Sequence, residues 1–190
     1  MNRTVLGIAG SPRRGGNSDI LLESALEGAR DAGAETAAIF VRDLDISGCL
    51  ECGGCDETGV CVVDDEMKRV YDAIEASDAV ILATPIFFYA MPSWVKAVID
   101  RSQCLWMRKY ALKTEPARAR KGALIAVGAT RGKRLFDGIT LTAKYFFDTF
   151  NAKLAHELLV PGMEKKGEIT SHPELLDKAR EIGTKLATVE

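Results

Sequence analysis

Four of the five cysteines in this 190-residue chain lie within the thirteen-residue segment CLECGGCDETGVC. They are Cys49, Cys52, Cys55 and Cys61, with the spacing C-x2-C-x2-C-x5-C. Thiols this close in sequence can form disulfides, bind zinc, hold an iron–sulfur cluster or remain free. The spacing and the rest of the chain must decide among these four kinds of chemistry.

The spacing of the cysteines favours an iron–sulfur cluster. Structural zinc sites usually take two C-x2-C pairs separated by a longer insert, whereas three cysteines at successive x2 intervals are typical of ferredoxin ligation. Ferredoxins draw a fourth ligand from elsewhere; here Cys61 would close the site locally. The backbone freedom that wrapping needs is supplied by Gly48, Gly53, Gly54 and Gly59. We therefore predict a 4Fe–4S loop at residues 47–63, with zinc and free thiols as open alternatives.

Composition limits the location and the partners of the chain. The N-terminal residues lack the long apolar region and cleavage site of a signal peptide, so we expect a cytoplasmic protein with reduced thiols. This disfavours disulfides. The net charge of −2 gives no attraction to nucleic acid, and no apolar run approaches the length of a membrane span. We expect neither nucleic acid nor membrane as a partner.

Five apolar runs of strand length alternate with helical patterns and predict one α/β domain over residues 1–190. The runs are Thr4–Ala9, Thr36–Val41, Ala79–Thr84, Gly122–Gly128 and Lys153–Val160. Runs such as Ala79–Ala83 are apolar without alternation, as in a parallel sheet covered by helices on both faces. We expect a doubly wound sheet that binds ligands at the carboxyl ends of its strands. The basic patches Arg108-Lys109 and Arg118–Lys121 are predicted to be solvated loops.

The loop after the first strand, Gly10–Ser18, has the composition of a phosphate site. Its glycines let backbone N–H groups converge, Asn17 or Ser18 can cap the following helix, and Arg13 can add positive charge. The spacing matches neither the nucleotide triphosphatase loop nor the dinucleotide motif. The alternative is a tight turn with two arginines in water.

The loops after strands three and four could enclose a flat conjugated ring. The first, Thr84–Ser93, contains three consecutive aromatic residues, and the second, Gly128–Arg134, adds glycine and polar backbone. Paired with a phosphate loop, they indicate a mononucleotide with a large ring system. The cations Arg131, Lys133 and Arg134 could receive the phosphate of a nicotinamide cofactor, although a solvated loop explains them more simply.

These motifs resemble those of the flavodoxin-like NAD(P)H-dependent FMN reductase family over nearly the whole chain. The resemblance rests on Gly10-Ser-Pro-Arg-x-x-Gly-Asn-Ser18, on Thr84-Pro-Ile-Phe-Phe-Tyr-x-Met-Pro-Ser93, and on Lys96 with Asp100-Arg101. It implies a five-stranded parallel sheet of order 2-1-3-4-5. The cysteine segment resembles that of the iron–sulfur flavoproteins, a branch of this family with a 4Fe–4S cluster beside FMN.

The resemblance implies FMN as a cofactor and assigns residues to it. The phosphate would be held by Ser11, Arg13, Gly16, Asn17 and Ser18. The isoalloxazine ring would lie between Pro85, Ile86, Phe87, Phe88 and Tyr89 on one side and Ala129, Thr130 and Gly132 on the other. The metal ligands would be the four clustered cysteines.

We predict a flavin oxidoreductase that moves electrons between a donor, either reduced ferredoxin or NAD(P)H, and an acceptor. We assign no catalytic side chain, because the flavin itself accepts hydride or electrons. His156 and His172 are interpreted as structural, and Cys104 as a buried small hydrophobe. We expect a homodimer or homotetramer. The rival hypotheses are a cluster-free NAD(P)H-dependent reductase of flavins or quinones, a non-enzymatic electron carrier, and a flavin-binding protein with a zinc-stapled loop.

Overall fold

The structure, a computed structural model, describes residues 3–116 and 118–188. Its five strands form one sheet, paired in parallel throughout, in the order β2-β1-β3-β4-β5. The strands are β1 (Thr4–Ala9), β2 (Glu35–Phe40), β3 (Ala79–Pro85), β4 (Arg120–Gly128) and β5 (Ala152–Pro161). The predicted flavodoxin-like sheet and its strand order are confirmed.

Helices cover both faces of the sheet. They are α1 (Asn17–Asp31), α2 (Met67–Ala76), α3 (Ser93–Arg101), α4 (Gln103–Trp106), α5 (Asp137–Asp148) and α6 (Pro173–Ala187). Apolar residues of α1 and α6 pack on one face, and those of α2, α3, α4 and α5 pack on the other. Each face of the central strands therefore contributes to a separate apolar core, which explains why those strands are apolar without alternation.

Helices α1 and α6 approach each other closely at two glycines. A Cβ added to Gly28 would lie 2.0 Å from the carbonyl oxygen of Arg180, and one added to Gly183 would lie 1.7 Å from that of Ala25. Any side chain at either position would push the two helices apart. This close contact fixes the position of α1, whose N-terminus belongs to the candidate phosphate loop.

Two predictions about local structure were wrong. Strand β2 ends at Phe40, because Val41 already belongs to the 3₁₀ turn Val41–Asp43. The basic residues around strand β4 are not simply solvated: Arg120 is buried within the strand, and its guanidinium donates to the carbonyls of Ser77 (3.1 Å) and Phe150 (2.8 Å). Arg108 is also engaged, since its Nε donates to the carbonyl of Gly59 at 2.7 Å.

The strand order places a topological switch point between β1 and β3, because the chain leaves β1 for β2 on one side and then crosses to β3 on the other. The loops that follow β1, β3 and β4 therefore meet at one edge. Over the described residues, no helix combines the length and the apolar character needed to cross a membrane.

Candidate functional site

The loop after β1 is folded into a tight turn at the N-terminus of α1. The Ser11 hydroxyl donates to the carbonyl of Arg13 (3.0 Å) and accepts from its amide (3.1 Å), and the amide of Gly16 donates to the same carbonyl (3.0 Å). Gly16 is the N-cap residue of α1 and offers no side chain to cap the helix. The first amides of α1 and the positive end of its dipole thus face the loop, an arrangement that suits an anion.

The structure separates the predicted phosphate residues into two groups. Asn17 does not cap the helix, because its side chain donates to the carbonyl of Lys165 (2.9 Å) and accepts from the amide of Ile169 (3.2 Å). Only the main chain of Asn17 therefore faces a ligand. Ser18 is buried, whereas the exposed Arg13 side chain has no hydrogen-bond or ion-pair partner among residues 3–116 and 118–188.

An ion pair that the sequence analysis missed fastens this loop to the segment after β2. The guanidinium of Arg42 donates to Oδ2 of Asp19 (2.8 Å) and to the carbonyl of Ser11 (3.1 Å). Burial raises the pKa of the Asp19 carboxyl above its usual value, although Arg42 acts in the opposite direction. The available signal was the position of Arg42 directly after a strand that ends at the ligand-binding edge.

Two buried polar atoms of this ion pair are left without partners. Within the described part of the chain, Oδ1 of Asp19 and Nε of Arg42 form no hydrogen bond. Such atoms are costly unless a ligand or water satisfies them. The loop therefore fits a group that carries both an anion and hydrogen-bonding hydroxyls, as the phosphate and ribityl chain of FMN do.

The loop after β3 forms a strained aromatic turn. Phe87 and Ala90 exchange two backbone hydrogen bonds of 2.9 Å, and the two residues between them, Phe88 and Tyr89, have φ values of 51° and 62°. This two-residue turn with positive φ at both centres normally uses Asn and Gly, because bulky residues are strained there. The Phe88 side chain is also fully exposed. Such strain with no gain in packing is typical of a ligand site.

Contacts connect this aromatic turn to the loops after β1 and β4. A Cβ added to Gly132 would lie 2.6 Å from the hydroxyl of Tyr89, so that hydroxyl rests on the glycine. The indole of Trp94 donates to the carbonyl of Gly10 (2.9 Å) and lies edge-on to the ring of Phe87. The structure thus brings together the two predicted sides of the ring site. Trp94 was missed, although it immediately follows the aromatic motif.

The remaining predicted ring residues lie at the same edge. Pro85 ends β3 and pairs with Val127, and Ile86 donates its amide to the carbonyl of Val127 at 2.9 Å. Ala129 and Thr130 are exposed in the loop after β4. This loop is fastened to the segment after β5, because the carbonyl of Thr130 accepts from the amide of Gly162 at 3.1 Å.

The three cations of the β4 loop do not form one phosphate site. The guanidinium of Arg131 covers Gly162, where a Cβ would come within 2.7 Å of it. Arg134 pairs with Asp137 at 2.7 Å, and Lys133 is exposed. This arrangement agrees with the solvated-loop interpretation.

The cysteine loop, defined as residues 47–63, has the donor chemistry for a metal centre. All of its cysteines are free thiols; Cys49 and Cys52 are exposed, and Cys55 and Cys61 are half-buried. Burial raises the pKa of the Cys55 thiol. Gly53 and Gly59 take positive φ, and the amide of Gly59 donates to the carbonyl of Cys55 at 2.8 Å. Four sulfur donors in one turn-rich segment suit iron or zinc.

The thiols of this loop are not gathered in the structure. Across residues 3–116 and 118–188, no three His, Cys, Asp or Glu side chains are grouped so that they could hold a metal ion. In the middle of the loop, Gly59 packs against Arg108 and Leu112, where a Cβ would lie 2.4 Å and 3.3 Å away. Cys104 is buried, as predicted.

The strand order and the three loops at the switch point define a flavodoxin-like protein with a site for a mononucleotide. Residues 3–137 match the profile of the NADPH-dependent FMN reductase family. The chain belongs to this family.

Relatives in sequence agree with the family, and a solved structure agrees with the fold. An iron–sulfur flavoprotein of Methanosarcina thermophila is 36% identical over 127 residues, 67% of this chain. The match spans 64% of that relative's own length. An iron–sulfur flavoprotein of Methanocaldococcus jannaschii is 29% identical and covers 97% of this chain and 96% of its own. The structure of an NAD(P)H:quinone oxidoreductase from Methanothermobacter marburgensis covers all of both chains with a TM-score of 0.71 at 18% identity.

Proposed function

We propose that the chain acts as one cytoplasmic flavin domain that binds FMN at the three loops of the switch point. The phosphate lies at the N-terminus of α1, and the ring lies between the aromatic turn and the loop after β4. The four thiols of the cysteine loop hold a 4Fe–4S cluster. Electrons pass from NAD(P)H or reduced ferredoxin to an acceptor.

The strongest support for the flavin site is the strained turn at Phe88 and Tyr89, which contacts Gly132 at the switch point. An exposed aromatic side chain with positive φ adds no packing energy in the free protein. A bound ring would use this turn as one wall. The loop after β1 adds the phosphate half of the site at the neighbouring strand.

The side chains of the site would bind and orient the cofactor. The amides of Asn17 and Ser18 would donate to the phosphate, Gly16 would let it approach because it has no side chain, and Arg13 would add a charge. The Asn17 side chain keeps the segment after β5 in place, and Ser11 shapes the turn. Bound FMN supplies the acceptor for hydride or single electrons. The aromatic turn orients the ring and excludes water from one of its faces.

The cluster is supported by the donor set and by the names of relatives. Cys49, Cys52, Cys55 and Cys61 would be its ligands, and a 4Fe–4S cluster supplies one-electron transfer. Both relatives described above carry the name iron–sulfur flavoprotein. The loop also exposes Leu50, Val60 and Val62, apolar side chains that a second copy in a homodimer or homotetramer would cover.

The flavin site is tested by comparing two arginines of one loop. Arg13 has a free guanidinium, whereas Arg14 pairs with Asp43 at 2.6 Å. Arg13→Gln should weaken FMN binding by about 1–2 kcal/mol through loss of a charged phosphate contact. Arg14→Gln should leave the affinity unchanged. Flavin titration of the two variants decides; equal affinities in both would contradict the phosphate assignment.

A second candidate function is a cluster-free NAD(P)H-dependent reductase of flavins or quinones. It is favoured by the absence of a grouped donor set within the described residues. In this case FMN would be reduced by NAD(P)H in protein that contains no iron. Steady NAD(P)H turnover would also exclude a non-enzymatic electron carrier. Stoichiometric zinc would instead indicate a flavin-binding protein whose cysteine loop is folded around zinc.

A further inference from the structure

The two ends of the cysteine loop are joined by one buried arginine. Arg101 is the last residue of α3, and its side chain is 1% exposed. Its guanidinium donates to both carboxylate oxygens of Asp65, at 2.7 Å and 3.2 Å. The same group donates to the carbonyl and hydroxyl of Ser47, both at 3.2 Å, and to the carbonyl of Val63 at 3.3 Å. Residues 47 and 63 are the two ends of the loop.

Asp65 completes this closure from the other side. Its Oδ2 accepts from the amide (3.1 Å) and the hydroxyl (3.0 Å) of Ser47, and its Oδ1 accepts from the amide of Met67 (3.0 Å). The ion pair therefore connects the start of the loop, its end and the first turn of α2. Burying charges is costly unless they are paired and hydrogen-bonded. This pair is, and an apolar pair of equal volume could not make its hydrogen bonds to both ends of the loop.

The main chain of the same arginine is also engaged. Its carbonyl accepts from the hydroxyl of Tyr71 at 2.7 Å, and the thiol of Cys104 lies 3.5 Å from that oxygen. Among the described residues, Nε of Arg101 has no hydrogen-bond partner. Main chain and side chain of Arg101 are therefore both held where α2, α3 and the cysteine loop meet.

We propose that Arg101 is a positioning residue, which ties both ends of the cysteine loop to α3. This tie removes conformational freedom that the loop would otherwise lose when its thiols bind a metal–sulfur group. This role rests on the proposed function only in that the thiols hold a metal–sulfur group.

Three variants separate the tie from a loss of charge and from a loss of general stability. Arg101→Met removes both the tie and the charge. Arg101→Lys keeps the charge, but an ammonium cannot reach Ser47, Val63 and Asp65 together. The matched control is Arg120→Met, because Arg120 is also a buried arginine, connects Ser77 to Phe150, and donates no hydrogen bond to residues 47–63 in the described part of the chain.

The first measurement is amide hydrogen exchange of FMN-loaded, metal-free protein. Arg101→Met and Arg101→Lys should each speed exchange of residues 47–63 by about tenfold or more, since breaking a buried pair frees the loop ends. Arg120→Met should leave exchange of that segment unchanged. Unchanged exchange in both Arg101 variants, or equal acceleration in Arg120→Met, would overturn the tie. This measurement needs no metal, so it stands even if the proposed cluster fails.

The second measurement uses anaerobic protein and follows iron release to a chelator. Iron release should be about tenfold faster in Arg101→Met and in Arg101→Lys than in Arg120→Met, because both Arg101 variants lose the tie. Equal release rates in the Arg101 variants and Arg120→Met would overturn the tie as a support for the metal centre. Iron-free wild-type protein would instead contradict the proposed function.

Discussion

The flavin loops and the cysteine loop leave the same sheet but are held in different ways. The flavin loops are interlocked: the amide of Gly10 donates to the carbonyl of Ala83 at 2.7 Å, Trp94 donates back to Gly10, and Tyr89 rests on Gly132. The cysteine loop is fastened at its ends by Arg101 and at Gly59 by Arg108, and much of the rest is exposed. Contacts between neighbouring loops hold the flavin edge, whereas the exposed part of the cysteine loop has few such contacts.

Because of this difference, the binding of the two proposed cofactors would depend differently on the fold. A preformed site loses little conformational entropy when a ligand binds, whereas a largely exposed loop held at a few points loses more. FMN should therefore bind to protein that has lost its metal. The metal centre should be the part of the molecule that is lost first.

The largest effect is expected when a methyl group is added to a glycine of the flavin loops, and a glycine of the cysteine loop provides the comparison. Gly10→Ala would place a Cβ 2.4 Å from Cγ2 of Val95 in the interlocked edge, whereas Gly48→Ala meets no atom within 4 Å in the cysteine loop. Gly10→Ala should reduce the free energy of unfolding by about 1–3 kcal/mol and weaken FMN binding, and Gly48→Ala should change neither. Urea unfolding with flavin titration checks both. Equal stabilities would contradict the interlocked description.

The ion pair between Arg101 and Asp65, which joins the ends of the cysteine loop, should make the free energy of unfolding depend on pH in the acid range. Burial acts to raise the pKa of Asp65, but hydrogen bonds from Arg101, Met67 and Ser47 outweigh it and lower the pKa to about 2. A lowered pKa in the folded state stabilises the protein above the pKa of the unfolded chain. At neutral pH the free energy of unfolding of wild type should exceed that of Asp65→Asn by about 1–2 kcal/mol. This difference should disappear as the pH falls from about 4 to 2.

Unfolding by urea at each pH measures this difference. The control is Asp72→Asn, since Asp72 makes only an exposed i,i+4 pair with Lys68. An Asp65→Asn curve parallel to wild type down to the lowest pH would show that the ion pair does not close the loop.

The smallest effect is expected at the strained turn. Phe88→Asn should raise the free energy of unfolding of FMN-free protein by about 0.5–1 kcal/mol, because Asn tolerates positive φ and the exposed Phe88 ring loses no packing. The same change should weaken FMN binding. Phe88→Leu keeps the strain and should give no gain in stability. A loss of stability in Phe88→Asn would mean that the ring packs in the folded protein.

The sequence predicted the sheet well because local patterns determine it. Apolar runs located all five strands to within two residues, and glycine and aromatic motifs located the loops. It could not predict that the Asn17 side chain contacts Lys165 and Ile169, since these partners are distant in the chain. Arg42, Trp94 and Arg101 were missed as organising residues for the same reason. The cysteine spacing indicated sulfur chemistry, but it does not determine how the thiols are arranged.

The metal content of anaerobically purified protein tests the central claim most directly. We predict one FMN per chain with about four irons and four sulfides, as a cube ligated by four cysteines requires. Cys52→Ser should lose most of the iron and keep FMN, whereas Cys104→Ser should keep both. Stoichiometric zinc in the native protein, or full iron retention in Cys52→Ser, would contradict the account.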